Sequence, residues 1–477
     1  MRQAPIIYWL RRDLRLGDHP GLTAVVASGR PIIPVFILDD LVEAHGAAPK
    51  WRLGLAVEHF TTQLEGIGSR LILRRGNALQ VLRNLVAETG AEAVHWSRAY
   101  DPAAIARDTD VKDNLKQDGL EAQSHKGHLL FEPWSVNTKT GGFYKVFTPM
   151  WKVVRGAELA QVLPPVSFLQ APDHWPDSDD IGTWNMGRAM WRGADIVEKY
   201  ICVGEGAANR RLATFVQDKL ANYANARNIP SVEGTSRLSE NLTYGEISPR
   251  SCWFAGWQAL HEGKADAETF LKELVWREFA YHLAYHTPRI VSENWNERWN
   301  DFPWKSDGEH SLRWKQGRTG IQMVDAAMRE MYVTGTMHNR GRMIVGSYLT
   351  KHMMTHWKVG LDWFAECLID WDPASNAMGW QWVAGSGPDA APYFRVFNPD
   401  IQAKKFDKDS IFRKRFLAEL GTDQAVQAQD FYNAIPIRWN MSPSDTYPSP
   451  LVPLALCRQQ ALEAYASRKG VGGFTTM

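Results

Sequence analysis

The spacing of the apolar residues changes once along the chain, and this change limits the possible folds more than any other feature. Up to about residue 130, short β-branched runs alternate with amphipathic segments such as Trp51–Leu64 and Ala78–Thr89. The runs are Ile6–Leu10, Ile32–Leu38, Leu71–Leu73 and Ala93–Trp96. Short apolar runs separated by helical segments are typical of βαβ units. Residues 1–130 are therefore predicted to form an α/β domain with a doubly wound parallel sheet.

After residue 200 only helical spacing remains. The segments that show it are Ala208–Arg227, Ala267–His286, Ile321–Val333, Arg340–Lys358 and Pro453–Ser467. Between the two patterns, residues 131–199 are interrupted by proline and glycine, as is typical of a long connection. We predict an α/β domain over 1–130, an interdomain connector over 131–199 and a larger all-α domain over 200–477.

Charge and composition exclude several classes of protein. The 54 Lys and Arg residues balance 53 Asp and Glu residues, so any site for a polyanion has to be local. The longest apolar stretches, such as residues 31–38, are far shorter than the ~20 residues of a membrane span. Residues 1–15 place an apolar run before a basic cluster, the reverse of a signal peptide, and this predicts a cytoplasmic protein. The four cysteines lie far apart, which disfavours disulfides and a cysteine zinc site, and we predict no metal.

Two segments have the composition of an anion site. Residues 233–239 combine a glycine, three hydroxyls and Arg237, which suits a phosphate group; the alternative is a helix cap with a solvated arginine. Residues 336–343 place Asn339, Arg340 and Arg342 near the start of a predicted helix, which suits phosphate oxygens and an amide-bearing ring. The alternative for this charge run is a solvated helix face.

Other residues have two interpretations. Trp276 lies beside an acid and a base, although a tryptophan at helical spacing is more often part of a core. The His282/His286 and His352/His356 pairs have metal spacing, but without further ligands we interpret them as packing or surface histidines. Residues 370–399 concentrate acids, amides, glycines and aromatic rings in a pattern too irregular for simple core packing, which indicates an enclosed ligand. The 21 tryptophans outnumber the 19 phenylalanines and the 14 tyrosines, which is unusual.

The chain resembles the photolyase/cryptochrome flavoproteins from about residue 5 to about residue 470. The resemblance rests on the motifs TSRLS, ELVWREF, GRTGIQMVDAAMREM, MHNRGRM, WDPASNAMGWQW and DAAPYFRVFNP, and on the N-terminal YWLRRDLRLGDHPGL. It implies that the all-α domain binds FAD in a folded form. The implied FAD-binding residues are Tyr223, Thr235, Ser236, Arg237, Leu238, Ser239, Asn339, Arg342, Asp370, Trp371 and Asp372.

The resemblance also assigns catalytic roles. Asn376 matches the position that faces flavin N5. Trp380, Trp357 and Trp304 match a chain of tryptophans that carries electrons between the flavin and the surface, which accounts for part of the tryptophan excess.

The function implied is light-dependent repair of cyclobutane pyrimidine dimers in DNA, a carbon–carbon lyase reaction. In it, excited reduced FAD passes an electron to a flipped lesion. The residues that match the dimer pocket are Glu273, Trp276, Asn339, Met343 and Trp382. Enzymes for the (6-4) photoproduct carry two histidines in place of Asn339 and Met343, which argues against that substrate. The alternative is a cryptochrome-like blue-light receptor without repair activity, although signalling members often have a long tail beyond the flavin domain.

The expected partner is UV-damaged DNA, single- or double-stranded, bound by a monomer. In addition to the dimer pocket, the predicted DNA contacts are Arg227, Arg277, Arg340, Arg395 and Gln402. By the resemblance, a second, antenna chromophore, a folate or a deazaflavin, would sit at the N-terminal domain, and an empty site is the alternative. Ala103 and Ala104 stand where folate-binding relatives carry a glutamate, which disfavours the folate. Thr336 stands where many members of the dimer-repair branch have an aromatic residue.

Overall fold

The computed structural model describes residues 3–389, 394–421 and 425–470, except the side chains of 468–470. The chain divides into two compact units. Unit 1 comprises Met1–Ala189, Cys202–Tyr223 and Ser236–Pro288, and unit 2 comprises Met190–Ile201, Ala224–Thr235 and Arg289–Met477. The predicted domains 1–130, 131–199 and 200–477 stay a prediction.

Unit 1 contains a five-stranded parallel sheet. The strands pair in the order β3-β2-β1-β4-β5. They are β1 (Ile6–Leu10), β2 (Ile32–Leu38), β3 (Ile72–Arg75), β4 (Ala93–Ser97) and β5 (Glu121–His125). Strands β1, β2 and β4 are buried along their whole length, as expected for a parallel sheet covered on both faces. The predicted doubly wound sheet is confirmed.

Unit 1 also contains helices, joined by irregular segments. They are α1 (Pro20–Ala27), α2 (Asp40–Glu43), α3 (Ala47–Gly66), α4 (Ala78–Thr89), α5 (Pro102–Gln117), α6 (Phe147–Val154), α8 (Glu205–Thr214), α10 (Ser239–Tyr244), α11 (Pro249–His261) and α12 (Ala267–His286). A π-helical turn, Phe215–Lys219, follows α8, and α9 (Tyr223–Ala226) begins at the last residue of the middle stretch of unit 1. The segment Ala208–Arg227 is therefore not the continuous helix that its spacing predicted.

The regular elements in the described part of unit 2 are helices. Its helices are α7 (Gly193–Val197), α13 (Glu309–Lys315), α14 (Gln322–Thr334), α15 (Asn339–Ser347), α16 (Trp357–Cys367), α17 (Pro373–Ala384), α18 (Pro399–Phe406), α19 (Ile411–Phe416), α20 (Val426–Ala434) and α21 (Leu454–Gly470). The prediction of continuous helical structure over Arg340–Lys358 was wrong. Helix α15 passes into a π-helical turn, Tyr348–His352, and the chain leaves the helical conformation before α16 begins. Within the described ranges, no helix is long and apolar enough to span a bilayer.

Candidate functional site

The part of the predicted phosphate segment that lies in unit 1, residues 236–239, is held in a bent conformation. Arg237 has a φ of +52°, and its carbonyl accepts a hydrogen bond from Arg211 Nη1 at 2.7 Å. The Leu238 amide donates to Ser236 Oγ at 3.4 Å. Leu238 is the N-cap residue of α10 and provides no side-chain cap, so the alternative of a simple helix cap is not supported. The backbone amides at the start of α10 are hydrogen-bond donors, and phosphate oxygens accept hydrogen bonds from such amides.

Packing fixes two further positions, one in each unit. The Tyr223 ring is buried in unit 1, edge-on to Phe215 and Phe270 at centroid distances of 5.2 and 6.2 Å. In unit 2, next to the predicted Thr235, a Cβ on Gly234 would lie 2.5 Å from the Cβ of Ala226. Only glycine permits this close approach of the backbone before the predicted phosphate contacts.

Arg342 and Asp370 form a bidentate ion pair in unit 2. Arg342 Nη2 donates to Asp370 Oδ1 at 3.0 Å and to Oδ2 at 2.8 Å, and Arg342 Nε donates to the Met337 carbonyl at 2.9 Å. Asp372, two residues further on, is buried and caps α17 by accepting from the Ser375 amide at 2.8 Å. The half-buried Trp371 packs against the helical core between the two acids. The predicted charged groups are therefore held in fixed orientations, as a bound polar ring requires.

Asn376 lies on α17 with its amide orientation fixed. Its Nδ2 donates to the carbonyl of Leu361 at 3.1 Å. With the nitrogen engaged, Oδ1 is the atom that can accept a hydrogen bond from a ring N–H. This fits the predicted role of Asn376 beside flavin N5.

Two of the predicted redox tryptophans are connected by a histidine. The rings of Trp357 and Trp304 lie 5.5 and 5.3 Å from that of His356, between centroids. Trp357 is fully buried and donates from Nε1 to Asn294 Oδ1 at 2.8 Å, whereas Trp304 is partly exposed. Burial, and secondarily the Lys358 ammonium, lower the pKa of His356, so its imidazole stays uncharged at neutral pH. The spacing of His356 predicted a packing or surface residue and gave no sign of its position between two indoles.

Trp380 lies directly over α16. The ring is buried and contacts Phe364 and Trp314 at centroid distances of 4.9 and 6.1 Å. A Cβ on Gly360 would lie 2.0 Å from Trp380 Cη2. Gly360 follows Trp357 by three residues, which is about one helical turn. The Trp380 ring, which contacts α16 at Gly360, therefore lies about one turn from Trp357 along this helix. The sequence analysis gave Gly360 no role.

This contact predicts the effect of adding one methyl group. We expect Gly360→Ala to displace the Trp380 indole and to lower the free energy of unfolding by about 1–3 kcal/mol, the usual cost of an overpacked core. Gly379→Ala on α17 is the matched control, since a Cβ there meets no atom within 4 Å. Urea unfolding of both variants measures the difference. Equal stability of the two variants would contradict the packing described.

Arg340 is the most distinctive of the predicted DNA-binding residues. Its guanidinium lies 4.2 Å from the centroid of the Phe406 ring and donates to Asn228 Oδ1. Burial and the nearby Arg227 charge both lower the Arg340 pKa. In the described part of the chain, no carboxylate forms an ion pair with Arg340. Arg227 and Arg340 therefore concentrate positive charge locally, although the whole chain has a net charge of only +1.

The other DNA-binding candidates of unit 2 have different environments. Trp382 is half-buried and lines a small cavity, together with the exposed Arg395 and the buried Lys351. The Gln402 Oε1 atom is buried on α18 without a hydrogen-bond partner among the described residues. Asn339 and Met343 lie on α15, on either side of Arg340 and Arg342. Thr336, at the usually aromatic position, shares a hydroxyl hydrogen bond with Thr334 at 3.1 Å.

On α12 of unit 1, Glu273 and Trp276 are partly exposed, and their contact with DNA stays a prediction. Arg277 is different. It donates from Nη1 to the His128 carbonyl at 2.9 Å, its Nη2 is 2.9 Å from His128 Nε2, and its side chain is only 12% exposed. A phosphate contact needs an exposed guanidinium, and the Arg277 guanidinium is instead held by His128.

Arg277 has a buried neighbour that the sequence analysis did not single out for a role. Glu278 accepts hydrogen bonds from the amides of Leu130 and Phe131 at 2.8 and 3.1 Å. Burial raises the Glu278 pKa to about 7, against the opposing effect of the Arg277 charge. Arg277 and Glu278 together fasten residues 128–131 to α12, which is a structural role.

Comparison with known proteins defines the class to which this fold and site belong. Residues 6–167 match the family model described as DNA photolyase, and residues 270–467 match that described as FAD binding domain of DNA photolyase. A deoxyribodipyrimidine photo-lyase of Agrobacterium fabrum is 41% identical, with 98% of this chain and 99% of the relative covered. The crystal structure of a bacterial class III photolyase from Agrobacterium tumefaciens matches with a TM-score of 0.90 at 40% identity and covers 98% of both chains. Cryptochrome-2 of Arabidopsis thaliana is 32% identical over 87% of this chain and 70% of the relative.

These matches define a two-part, flavin-binding protein with an α/β sheet domain and a helical FAD-binding domain. The chain belongs to the DNA photolyase family.

Proposed function

We propose that this protein repairs cyclobutane pyrimidine dimers in DNA under light. The observation that carries the proposal is the composition of α15. This helix of nine residues holds the Arg342 that pairs with Asp370, the Arg340 that adds to a local positive charge, and the dimer-pocket residues Asn339 and Met343. One rigid element thus carries residues for the cofactor, the DNA backbone and the lesion.

The side chains support this reaction as follows. FAD, when bound and reduced, supplies the electron that splits the dimer after light absorption. With FAD bound, Asn376 Oδ1 would accept a hydrogen bond from the flavin N5–H, and the Arg342–Asp370 pair would orient the ring system. Trp276 and Trp382 stack on the flipped pyrimidines, while the Met343 thioether contacts the apolar cyclobutane edge. Asn339 and Glu273 form hydrogen bonds with the pyrimidine edges.

The chain offers little support for the cryptochrome alternative. Its identity to the photo-lyase relative is 41% over nearly the full length of both chains, compared with 32% for the cryptochrome. Asn339 and Met343 also stand where enzymes for the (6-4) photoproduct carry histidines. Both observations favour the cyclobutane dimer as substrate.

The decisive experiment compares two lesions. The flavin-loaded, chemically reduced protein is illuminated with oligonucleotides that carry either a cyclobutane thymine dimer or a (6-4) photoproduct. We expect restoration of the first alone, measured by chromatography of the oligonucleotide. Repair of neither lesion by a fully loaded and reduced sample would favour the photoreceptor alternative.

Arg340 provides a test of the DNA contact. We expect Arg340→Ala to weaken binding of damaged and undamaged DNA alike and to reduce the slope of log K against log salt by about 0.7–0.9, the value of one phosphate contact. Arg83→Ala is the control, because Arg83 is already paired with Asp118 at 2.7 Å in unit 1. Fluorescence anisotropy at several salt concentrations gives both slopes. If the slope of Arg340→Ala equals that of the control, Arg340 serves the fold instead.

The proposal extends to the working form of the protein. It acts as a monomer in the cytoplasm on single- or double-stranded DNA, with a deazaflavin or a folate as a second chromophore in the N-terminal domain. The absorption spectrum before and after reduction identifies the chromophores, and sedimentation gives the oligomeric state. A spectrum of FAD alone would remove the antenna from this proposal.

A further inference from the structure

Helix α6 lies in the stretch where the sequence predicted only a connector. Four of its eight residues are buried, with the helical spacing i, i+3, i+4 and i+7: Phe147, Met150, Trp151 and Val154. Together with the residues before it, α6 forms a strap, defined here as residues 143–154, that packs on α12 within unit 1. The strap therefore covers part of the helix that carries Trp276.

Phe147 makes the closest aromatic contact of the strap. Its ring lies parallel to the Trp276 indole, at a centroid distance of 3.8 Å and an interplanar angle of 5°. Phe279 closes the arrangement edge-on, 6.0 Å from Phe147 and 5.8 Å from Trp276. Phe147 is 7% exposed, whereas Trp276 is only half-buried. Phe147 thus covers one face of the indole, and Trp276 keeps part of its surface exposed.

The strap is anchored independently of the Phe147 ring. On one side of Phe147, the Tyr144 amide donates to His282 Nε2 at 3.0 Å, and the Phe143 ring stacks on His286 at 4.8 Å. On the other side, the Lys272 ammonium lies 5.6 Å from the centroid of the Trp151 ring. These contacts hold the backbone on both sides of Phe147, so removal of its ring leaves the strap in place.

We propose that Phe147 is a positioning residue for the lesion. It holds the Trp276 indole in one orientation before DNA binds, so that the exposed part of the ring is ready to stack on the flipped dimer. This inference rests on the proposed repair function. Fixing a side chain in advance avoids the entropy cost of ordering it on binding, which corresponds to about two- to tenfold in affinity.

The experiment measures DNA binding in the dark and does not depend on repair. We expect Phe147→Ala to weaken binding of dimer-containing DNA by about two- to tenfold while binding of undamaged DNA and flavin content stay unchanged. Phe147→Tyr keeps the flat ring and restores the parent affinity, whereas Phe147→Leu keeps an apolar side chain without that ring and loses affinity as Phe147→Ala does. Val153→Ala is the matched control, because Val153 lies on the same helix and is 51% exposed.

A double-mutant cycle separates positioning from general stability. In a Trp276→Ala background, Phe147→Ala should have no further effect on dimer binding, because the ring that it positions is gone. The inference is overturned if Phe147→Ala lowers the affinity for dimer-containing DNA by the same factor in both backgrounds, or if it lowers the affinity for undamaged DNA equally. It is also overturned if Phe147→Leu binds dimer-containing DNA as tightly as the parent. A parent protein that does not prefer dimer-containing DNA would instead refute the proposed function.

Discussion

A Trp304→Phe variant is expected to lose light-driven reduction of its bound oxidised FAD and to retain dimer repair once the flavin has been reduced chemically. Phenylalanine is much harder to oxidise than tryptophan, so the substitution interrupts electron transfer at one ring while preserving an aromatic side chain. Trp304 is the critical position because Trp357 and Trp380 are buried, whereas Trp304 is partly exposed and accessible to an external donor. Repair needs no external electron, because the electron returns to the flavin.

The two activities are measured on one preparation, by flavin absorption under blue light and by dimer repair after dithionite treatment. Trp439→Phe is the control, since Trp439 is also a partly buried tryptophan beside the helical core of unit 2 but lies outside the predicted chain. The control should retain both activities. Parallel loss of photoreduction and repair in Trp304→Phe would show that Trp304 supports the fold and not the electron path.

The parts of the fold that the sequence predicted correctly are those with strong local patterns. The runs Ile6–Leu10 and Ile32–Leu38 are strands with those same limits, because both faces are buried and the apolar run is continuous. The helices α4 and α12 also have their predicted limits. Strand β5 was missed, because its sequence Glu-Ala-Gln-Ser-His buries only Ala122 and its place at the sheet edge comes from pairing with β4.

Other differences depend on distant contacts that a local pattern cannot show. The break between α15 and α16 is fixed by Lys305, whose amide donates to the Met354 carbonyl at 2.8 Å and whose carbonyl accepts from the His356 amide at 2.9 Å. Met354 has a φ of +54° there. A helical spacing over 340–358 contains no sign of this bridge.

The candidate site residues also fall into two groups, those that a local sequence pattern indicates and those that depend on distant contacts. Long sequence motifs indicated the candidate residues on α15 and those on α17, because each of these motifs lies largely within one helix. The inward orientation of Arg277 and the stacking of Phe147 on Trp276 were not predictable, because each joins α12 to a segment more than 100 residues earlier in the chain. The role of Gly360 depends on a tryptophan of the next helix, and a helical pattern gives no indication of it.

The substrate assignment has its sharpest test in the two tryptophans predicted to stack on the lesion. We expect Trp276→Ala and Trp382→Ala each to weaken dimer binding by about 1–3 kcal/mol, the range measured for base–aromatic stacking, and the double variant to lose most of its preference for damaged DNA. Undamaged DNA should bind the parent and the variants alike, because stacking rewards only an extruded base while phosphate contacts remain. Trp257→Ala on α11 is the control, since Trp257 packs on Trp253 and His261 within unit 1 and has no predicted DNA role. Titration of labelled damaged and undamaged duplexes gives the ratio of affinities, and flavin absorbance checks cofactor content. If that ratio stays at the parent value in the double variant, the indoles do not contact the lesion and the pocket assignment fails.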